Sequence, residues 1–350
     1  MIRRTACLIA LGGEPYRNLA IEKHLMDTLP EDTAILYLWQ NDRCISIGRC
    51  QNPLYECRVD PFLSAGGHIA RRLSGGGAVY QDRGALNFSF ILPKTAFDIH
   101  HQLSILGMAA GAFGIQSRAM GRGDLFAAGR RFSVNAYFKA GSAALHHGTL
   151  YVDTALDQMA QFLSAGGGDL AAPNPPDTAA HTINLRTLNP AITVEELEQA
   201  LYWAFARAYG AQPAWLDERI LDGRSIAALT LRFSDPKWIY PEAMASTFSV
   251  SERFPWGQVT VKLKVDGGVI RAARVFTDAM EAPLFGLIEQ SLTGSPYLIS
   301  AISGRMDQRL EMLSDPRLIQ LAGDVTNLIC GRIRSLGRVV AHSPPRSCTQ

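Results

Sequence analysis

ARRLSGGGAVYQDRGALNFSF, residues 70–90, sets two arginines and three consecutive glycines ahead of an alternating apolar run. Glycine weakens a strand or hairpin, because it loses the most backbone entropy on folding and offers no side chain to pack. The usual compensation is close approach of backbone N–H groups to a ligand, often an anion. Arginine supplies a planar charged fork for the same kind of partner. HIARRL, AVYQ and LNFSFIL read as strands around the glycines, and in the last Leu86, Phe88, Phe90 and Leu92 share one face. A strand rather than a helix follows, so the motif is not a dinucleotide fingerprint. No Gly-Lys-Ser/Thr follows either, so it is not a Walker A loop.

Outward from that stretch the pattern is α/β. Upstream, PYRNLAIEKHLMDTL (15–29) puts Leu19, Leu25, Met26 and Leu29 on one helical face. TAILYLWQ and RCISIGR then read as two short strands joined by a polar turn at Asn41-Asp42. Downstream, residues 98–114 read as a helix ending at Gly114, DLFAAGRRFSVNAYFK as a hairpin turning at Ala128-Gly129, and AALHHGTLYVD as a strand. Residues 164–180 are rich in Gly, Pro and Ala and are expected to form a mobile loop. TVEELEQALYWAFARAYG (193–210) is a helix with capping-box spacing at Thr193 and Glu196 and a C-capping Gly210. Near residue 249 the pattern restarts: QVTVKLKV, the turn Asp266-Gly267-Gly268 and VIRAARVFT form a hairpin, followed by two helices around 281–292 and 315–333. The expectation is an α/β (α+β) chain with a large domain over 1–249, a small α+β domain over 250–341 and a disordered tail over 342–350.

At 350 residues two domains are the better prior. Apolar residues at 47% and charged residues at 19% describe a globular chain with a large core. A net charge of +2 points to neither nucleic acid nor membrane. The six cysteines show no CxxC and no metal spacing, which fits a reducing compartment. The apolar run near the N-terminus is too short for a signal peptide, and nothing approaches a membrane span, so a cytoplasmic location is expected.

Two further groups of residues bear chemistry. In HHGT (146–149) a strand would turn His147 and Thr149 to one face and His146 to the other. They line a pocket, or else they are two satisfied histidines, the simpler reading of the motif alone. In GRGD (121–124), Asp124 either holds a divalent cation beside a nucleotide or caps a turn. His100-His101 reads as a solvated helix face.

Taken in order, QNPLYECRVD (51–60), residues 70–90, GRGDL (121–125), HHGTL (146–150) and WGQVTVKLKV…VFTD (256–278) resemble the lipoate–protein ligase A family over nearly the whole chain. The resemblance implies a biotin/lipoate-ligase-like fold with mixed sheets and a C-terminal accessory domain. It also implies a two-step reaction, in which lipoate and ATP give lipoyl-AMP and the lipoyl group passes to a lysine of a lipoyl domain. That domain would belong to a 2-oxo acid dehydrogenase complex or a glycine-cleavage H protein, and Mg2+ would accompany ATP. Carried over by motif, Arg72 and Ser74, Gly75, Gly76 and Gly77 match the segment that cradles the lipoyl carbonyl and phosphate. Asn87 matches a polar pocket position, Asp124 an acidic position near the nucleotide and the metal, and His147, Gly148 and Thr149 the lining strand.

The departures cluster in the hairpin strand Arg130-Arg131-Phe132-Ser133-Val134-Asn135-Ala136. Arg131 stands where the family has its central lysine, and Val134-Asn135, after Ser133, replaces Gly-Ser. Gln81 stands for a histidine, Gly123 for an asparagine, and of the adenylate loop HTINLRTLN keeps Arg186 and Asn189. Lys139 is the other lysine of this strand region and reads as a surface residue. Arginine and lysine are not equivalent at a bidentate or stacked site. Three readings follow: a ligase in which Arg131 replaces lysine; a non-catalytic or altered-specificity homologue that binds the acyl ligand or lipoyl domains; and a transferase with a cysteine nucleophile drawn from Cys44, Cys50 or Cys57.

Overall fold

The computed structural model describes residues 2–121, 123–163, 179–240 and 244–341. The expected mobile loop lies outside the described residues save for 179–180, and the expected tail lies wholly outside them. The chain forms two compact units, Met1–Pro241 and Glu242–Gln350. Its strands are β1 Arg4–Ile9, β2 Thr33–Trp39, β3 Cys44–Ile47, β4 His68–Arg71, β5 Val79–Gln81, β6 Ala85–Pro93, β7 Arg118–Met120, β8 Asp124–Ala127, β9 Arg130–Arg131, β10 Ser133–Ala140, β11 Ala143–Tyr151, β12 Ala214–Trp215, β13 Phe248–Phe254, β14 Gly257–Asp266 and β15 Val269–Thr277.

In the first unit six strands form one mixed sheet, in the order β10–β11–β6–β2–β1–β12. Strand β2 is parallel to β1 and antiparallel to β6. All seven residues of β2 are buried, as a continuous apolar run predicts for a strand covered on both faces. Leu36, Leu38, Phe88 and Phe90 pack on one side, beneath helices Ile99–Gly111 and Val194–Tyr209. Ile35, Tyr37, Trp39, Ile91 and Leu145 pack on the other, beneath helices Pro15–Asp27 and Gly223–Ser234. Helix Val194–Tyr209 carries the expected devices: a reciprocal Thr193–Glu196 capping box, and Gly210 in the left-handed region at φ 67°.

Strands β2 and β3 adjoin in sequence but part in space. β3 joins a small sheet ordered β4–β3–β5. Asn41 in the connection is buried, and its amide donates to Gln81 Oε1 at 2.8 Å, so the turn is a junction between sheets. The expected hairpin turns at Ala128 (φ 49°) and Gly129 (φ 75°) and joins β8 to β9 in a third sheet, β7–β8–β9.

The second unit has the sheet β13–β14–β15. Gly267 (φ 56°) and Gly268 (φ 73°) make the tight turn between β14 and β15, where two successive positive φ values favour glycine. Three helices accompany it, Ala282–Leu292, Ile299–Leu310 and Pro316–Ala341. The middle helix was not expected from sequence, because ISAISGRMDQRL carries Ser, Gly and charged residues and buries only Ile302 and Met306. Among the described residues no helix is long and apolar enough to cross a membrane.

Candidate active site

Strand register assembles most of the expected residues. Strands β6, β11 and β10 lie side by side, with Asn87 opposite Thr149 and Ser89 opposite His147. Val134 lies opposite Thr149 and Ala136 opposite His147. Cross-strand partners share a face, so Asn87, Ser89, His147, Thr149 and Val134 line one surface. Gly148 faces the other way, and a Cβ there would stand 2.2 Å from the Val134 carbonyl oxygen and strike the Phe88 ring. His146 is fully buried on that second face against Phe88 and Phe90 and bonds Asn135 Oδ1 through Nε2 at 3.0 Å. Burial, with His147 adding a smaller effect, drops its pKa to about 3, so it stays neutral.

The glycine loop is held from beneath. Arg72 donates to the carbonyls of Ser46 (2.9 Å), Gly75 (2.8 Å) and Gly77 (2.7 Å), and through Nε to Ser74 Oγ (3.1 Å). Arg71 donates to the carbonyls of Gly48, Arg49, Gln51, Trp238 and Ile239. Both guanidinium groups are buried, and burial pulls each pKa down to about 10, which leaves them cationic at neutral pH. This differs from the reading that these arginines offer charged forks to a ligand. Their donors are occupied inside the protein, where they set the loop's conformation. In a trans peptide C=O and N–H point in opposite directions. Turning the Gly75 and Gly77 carbonyls toward Arg72 therefore turns the next N–H groups, those of Gly76 and Ala78, away from it. Among the described residues no protein group accepts from the N–H of Gly75, Gly76 or Gly77. Gly76 has φ 89°, Gly77 is exposed, and nothing lies within 4 Å of a Cβ placed on Gly77. The loop thus carries three backbone donors without a protein acceptor and borders open space at Gly77.

Two buried polar chains lie below it. In one, Gln81 Nε2 and Thr149 Oγ1 both donate to Asn87 Oδ1 at 2.7 Å, and Gln81 continues through Asn41 to Asn18 and Tyr37. Gln81 thus fills its position by joining buried amides. Asn87 Nδ2 and the Tyr151 hydroxyl, both fully buried, have no acceptor among the described residues. In the other, Ser74 Oγ meets His147 Nε2 at 2.6 Å, and His147 Nδ1 meets Glu22 Oε1 at 2.8 Å. Glu22, Asn41, Gly48 and Tyr151 were not expected at the site. For Glu22 the signal was available: NLAIEKHLM puts a carboxylate three residues from Leu19 and Leu25, on the apolar helix face.

The hairpin forms a third group beside the edge strand. Arg131 Nη1 pairs with Asp124 Oδ2 at 3.0 Å, with both side chains mostly buried. The backbone N–H of Asn135 donates to Asp124 Oδ1 at 2.9 Å, and Ser133 Oγ accepts from Leu125 N. Asn135 Nδ2 bridges the Gly123 carbonyl and Ser133 Oγ. The metal assignment to Asp124 does not fit this arrangement: both carboxylate oxygens already accept, one from a guanidinium. Among the described residues no group of three His, Cys, Asp or Glu side chains could hold a metal ion. Arg186 forms an exposed pair with Asp153, Asn189 donates to the Phe113 carbonyl, and Lys139 is exposed with its ammonium over the Phe97 ring. None of these three is bonded to the polar chains. Cys44 and Cys57 are buried with thiol pKa values raised by burial, Cys57 to about 12, which suits neither as a nucleophile.

Residues 14–206 match the family described as the lipoyl protein ligase A/B catalytic domain, and residues 243–312 match the bacterial lipoate protein ligase C-terminus. The chain is 30% identical over 327 residues to a lipoate-protein ligase A of Psychrobacter cryohalolentis, covering 91% of this chain and 96% of that one. In fold it resembles P. falciparum LipL1, solved in complex with lipoate (TM-score 0.80, 24% identity, 92% of this chain and 99% of the other). It also resembles a lipoate-protein ligase A bound with ATP (TM-score 0.55, 23% identity, 68% and 98%).

Proposed function

Because the chain belongs to the lipoate–protein ligase A family, we propose that it joins lipoate to ATP, forming lipoyl-AMP and pyrophosphate, and then passes the lipoyl group to a lysine of a lipoyl domain. A carboxylate is a poor electrophile, and conversion to a mixed anhydride with AMP makes its carbon attackable. That step develops negative charge around the α-phosphate and the departing pyrophosphate, so it needs fixed donors and a cation. The observation that carries the reading is the Arg72-held loop, whose glycine N–H groups have no acceptor among the described residues, as do two buried donors of the same unit, Asn87 Nδ2 and the Tyr151 hydroxyl. Buried donors without partners are costly in isolation and fit an anionic substrate.

Arg131 supplies the cation in place of lysine, and Asp124 orients it through their 3.0 Å pair. Orienting a long side chain in advance reduces what it must lose when substrate arrives. No step is assigned to Mg2+, since Asp124 is committed to Arg131 and Asn135. The acceptor is a lipoyl domain of a 2-oxo acid dehydrogenase complex or of a glycine-cleavage H protein, as in the family reaction.

The test is pyrophosphate release by wild type, Arg131→Lys and Arg131→Ala, followed by the mass of an added lipoyl domain. Wild type should release pyrophosphate only with both lipoate and ATP present, and Arg131→Ala should be slowed by ~100- to 1000-fold. An inert wild type that still binds lipoate would support the non-catalytic homologue instead. Full activity in Arg131→Ala would remove Arg131 from the reaction.

A further inference from the structure

The second unit keeps a cavity that its own side chains leave open. Helices Ala282–Leu292, Ile299–Leu310 and Pro316–Ala341 border a space of about 210 Å3. Leu284, Ile288, Met306 and Ala322 are buried and form its floor, while Leu287 (41% exposed) and Met312 (75% exposed) stand at its mouth. Two features of the sequence leave the space unfilled. Helix Ile299–Leu310 buries only Ile302 and Met306, and the other two helices present the small residues Ser291 and Ala322 to the cavity. The Ser291 hydroxyl donates to the Leu287 carbonyl of its own helix at 2.8 Å, so its proton is already placed.

Helix packing ordinarily closes such a space, because a void forfeits the dispersion contacts of the groups that line it. An apolar guest restores those contacts. A cavity of ~150 Å3 lined by Leu, Ile and Phe stays dry and takes up benzene. Scaled from the six carbons of benzene, 210 Å3 holds roughly eight. One charged side chain borders the cavity, that of Arg309. It is exposed, and its guanidinium has no hydrogen bond or ion pair among the described residues. No carboxylate lines the cavity beside it. A guanidinium at the rim of an apolar slot is complementary to a molecule with an anionic head and a short apolar tail.

We propose that this pocket binds a medium-chain carboxylate, with its tail among Leu284, Ile288 and Met306 and its head on Arg309. Met312, unbranched and flexible, covers the tail at the mouth. The site lies wholly within the second unit, and its occupancy requires neither ATP nor an acceptor domain, so the inference does not depend on the ligase reading. Because the guest binds the folded form, it raises the thermal stability of the unit that holds it.

The experiment uses the full-length protein and an octanoate carrying a diazirine at its terminal carbon. After irradiation, peptide mass locates the label, which should fall within residues 284–313. Unlabelled acids should compete for that label ~4-fold better per added CH2 from hexanoate to octanoate. The gain should stop near the length that fills the cavity, so decanoate should compete no better than octanoate. Arg309→Gln should weaken labelling ~3-fold, the scale of an exposed ion pair. Met312→Glu, which sets a like charge at the mouth, should weaken it further, and Ala322→Leu, which fills the floor, should abolish it. Should Ala322→Leu not fold by thermal melt, the two exposed positions decide. Label confined to the first unit would overturn the proposal, and so would label in the second unit that neither Arg309→Gln nor Met312→Glu diminishes. Pyrophosphate release from ATP and lipoate, read in the same preparations, tests the ligase reading separately.

Discussion

Gly48→Ala isolates the placement of the glycine loop. Gly48 is not among the residues with left-handed φ, so alanine can adopt its backbone, and space alone decides the outcome. A Cβ at this position would stand 2.0 Å from the Gly76 carbonyl oxygen, with the Gly76 and Gly75 carbonyl carbons at 3.1 and 3.2 Å. Real Cβ contacts stay beyond 3.0 Å, so the loop must move by at least 1.0 Å (3.0 minus 2.0). No flexible side chain can yield instead, because the three nearest atoms are all backbone. Arg71 pins Gly48 through its carbonyl at 3.0 Å, and Gln51 pins its N–H at 2.9 Å, so the glycine loop is the part that shifts. A displacement near 1 Å at a reacting centre costs ~100-fold in kcat/KM, or about 2.7 kcal/mol of barrier. The assay is pyrophosphate release at subsaturating lipoate, with thermal melts to separate lost folding from lost placement. Gly223→Ala, where nothing lies within 4 Å of the new Cβ, is the control. A Gly48→Ala enzyme as fast as wild type would refute the claim that loop position governs activity.

Arg72→Lys keeps a positive charge but cannot reach the Ser46, Gly75 and Gly77 carbonyls together, and leaving buried acceptors unpaired costs about 3 kcal/mol. Urea denaturation should show that loss, and an unchanged midpoint would contradict the anchoring role. Glu198 has its pKa raised from 4.5 to about 7, first by burial and then by Glu195. Its folded form binds the proton more tightly than its unfolded form, so its contribution is complete below pH 4.5. That contribution is lost as pH rises from 4.5 through 7, and because solvent screens the partly exposed carboxyl the loss is about 1 kcal/mol. Glu198→Gln should flatten stability between pH 4.5 and 7, and an identical pH slope in the variant would contradict this.

Much of this molecule can be read from its letters, and the limits have physical causes. Strand β6 and helix Val194–Tyr209 show themselves because period and capping are local signals. The surface shared by Asn87, His147 and Thr149 follows from period-two alternation once the strands are seen to pair. The roles of Arg71 and Arg72 do not follow, because a cation that binds ligand and one that binds carbonyls from distant segments look alike in sequence. Gln81 looks like a lost histidine until Asn41 and Asn87 are seen beside it. Gly48 is one glycine among many, and only the approach of Gly76 shows why it must be small. Asp124 suggests a metal until Arg131, seven positions on, is found against it.

The central claim is that the acceptor-free N–H groups of the glycine loop bind the acyl phosphate. Amide hydrogen exchange on the full-length protein, with and without a nonhydrolysable lipoyl-AMP analogue, tests it directly. The claim predicts that the analogue slows exchange at Gly75, Gly76 and Gly77. Saturating binding of the analogue with unchanged exchange at all three amides would contradict it.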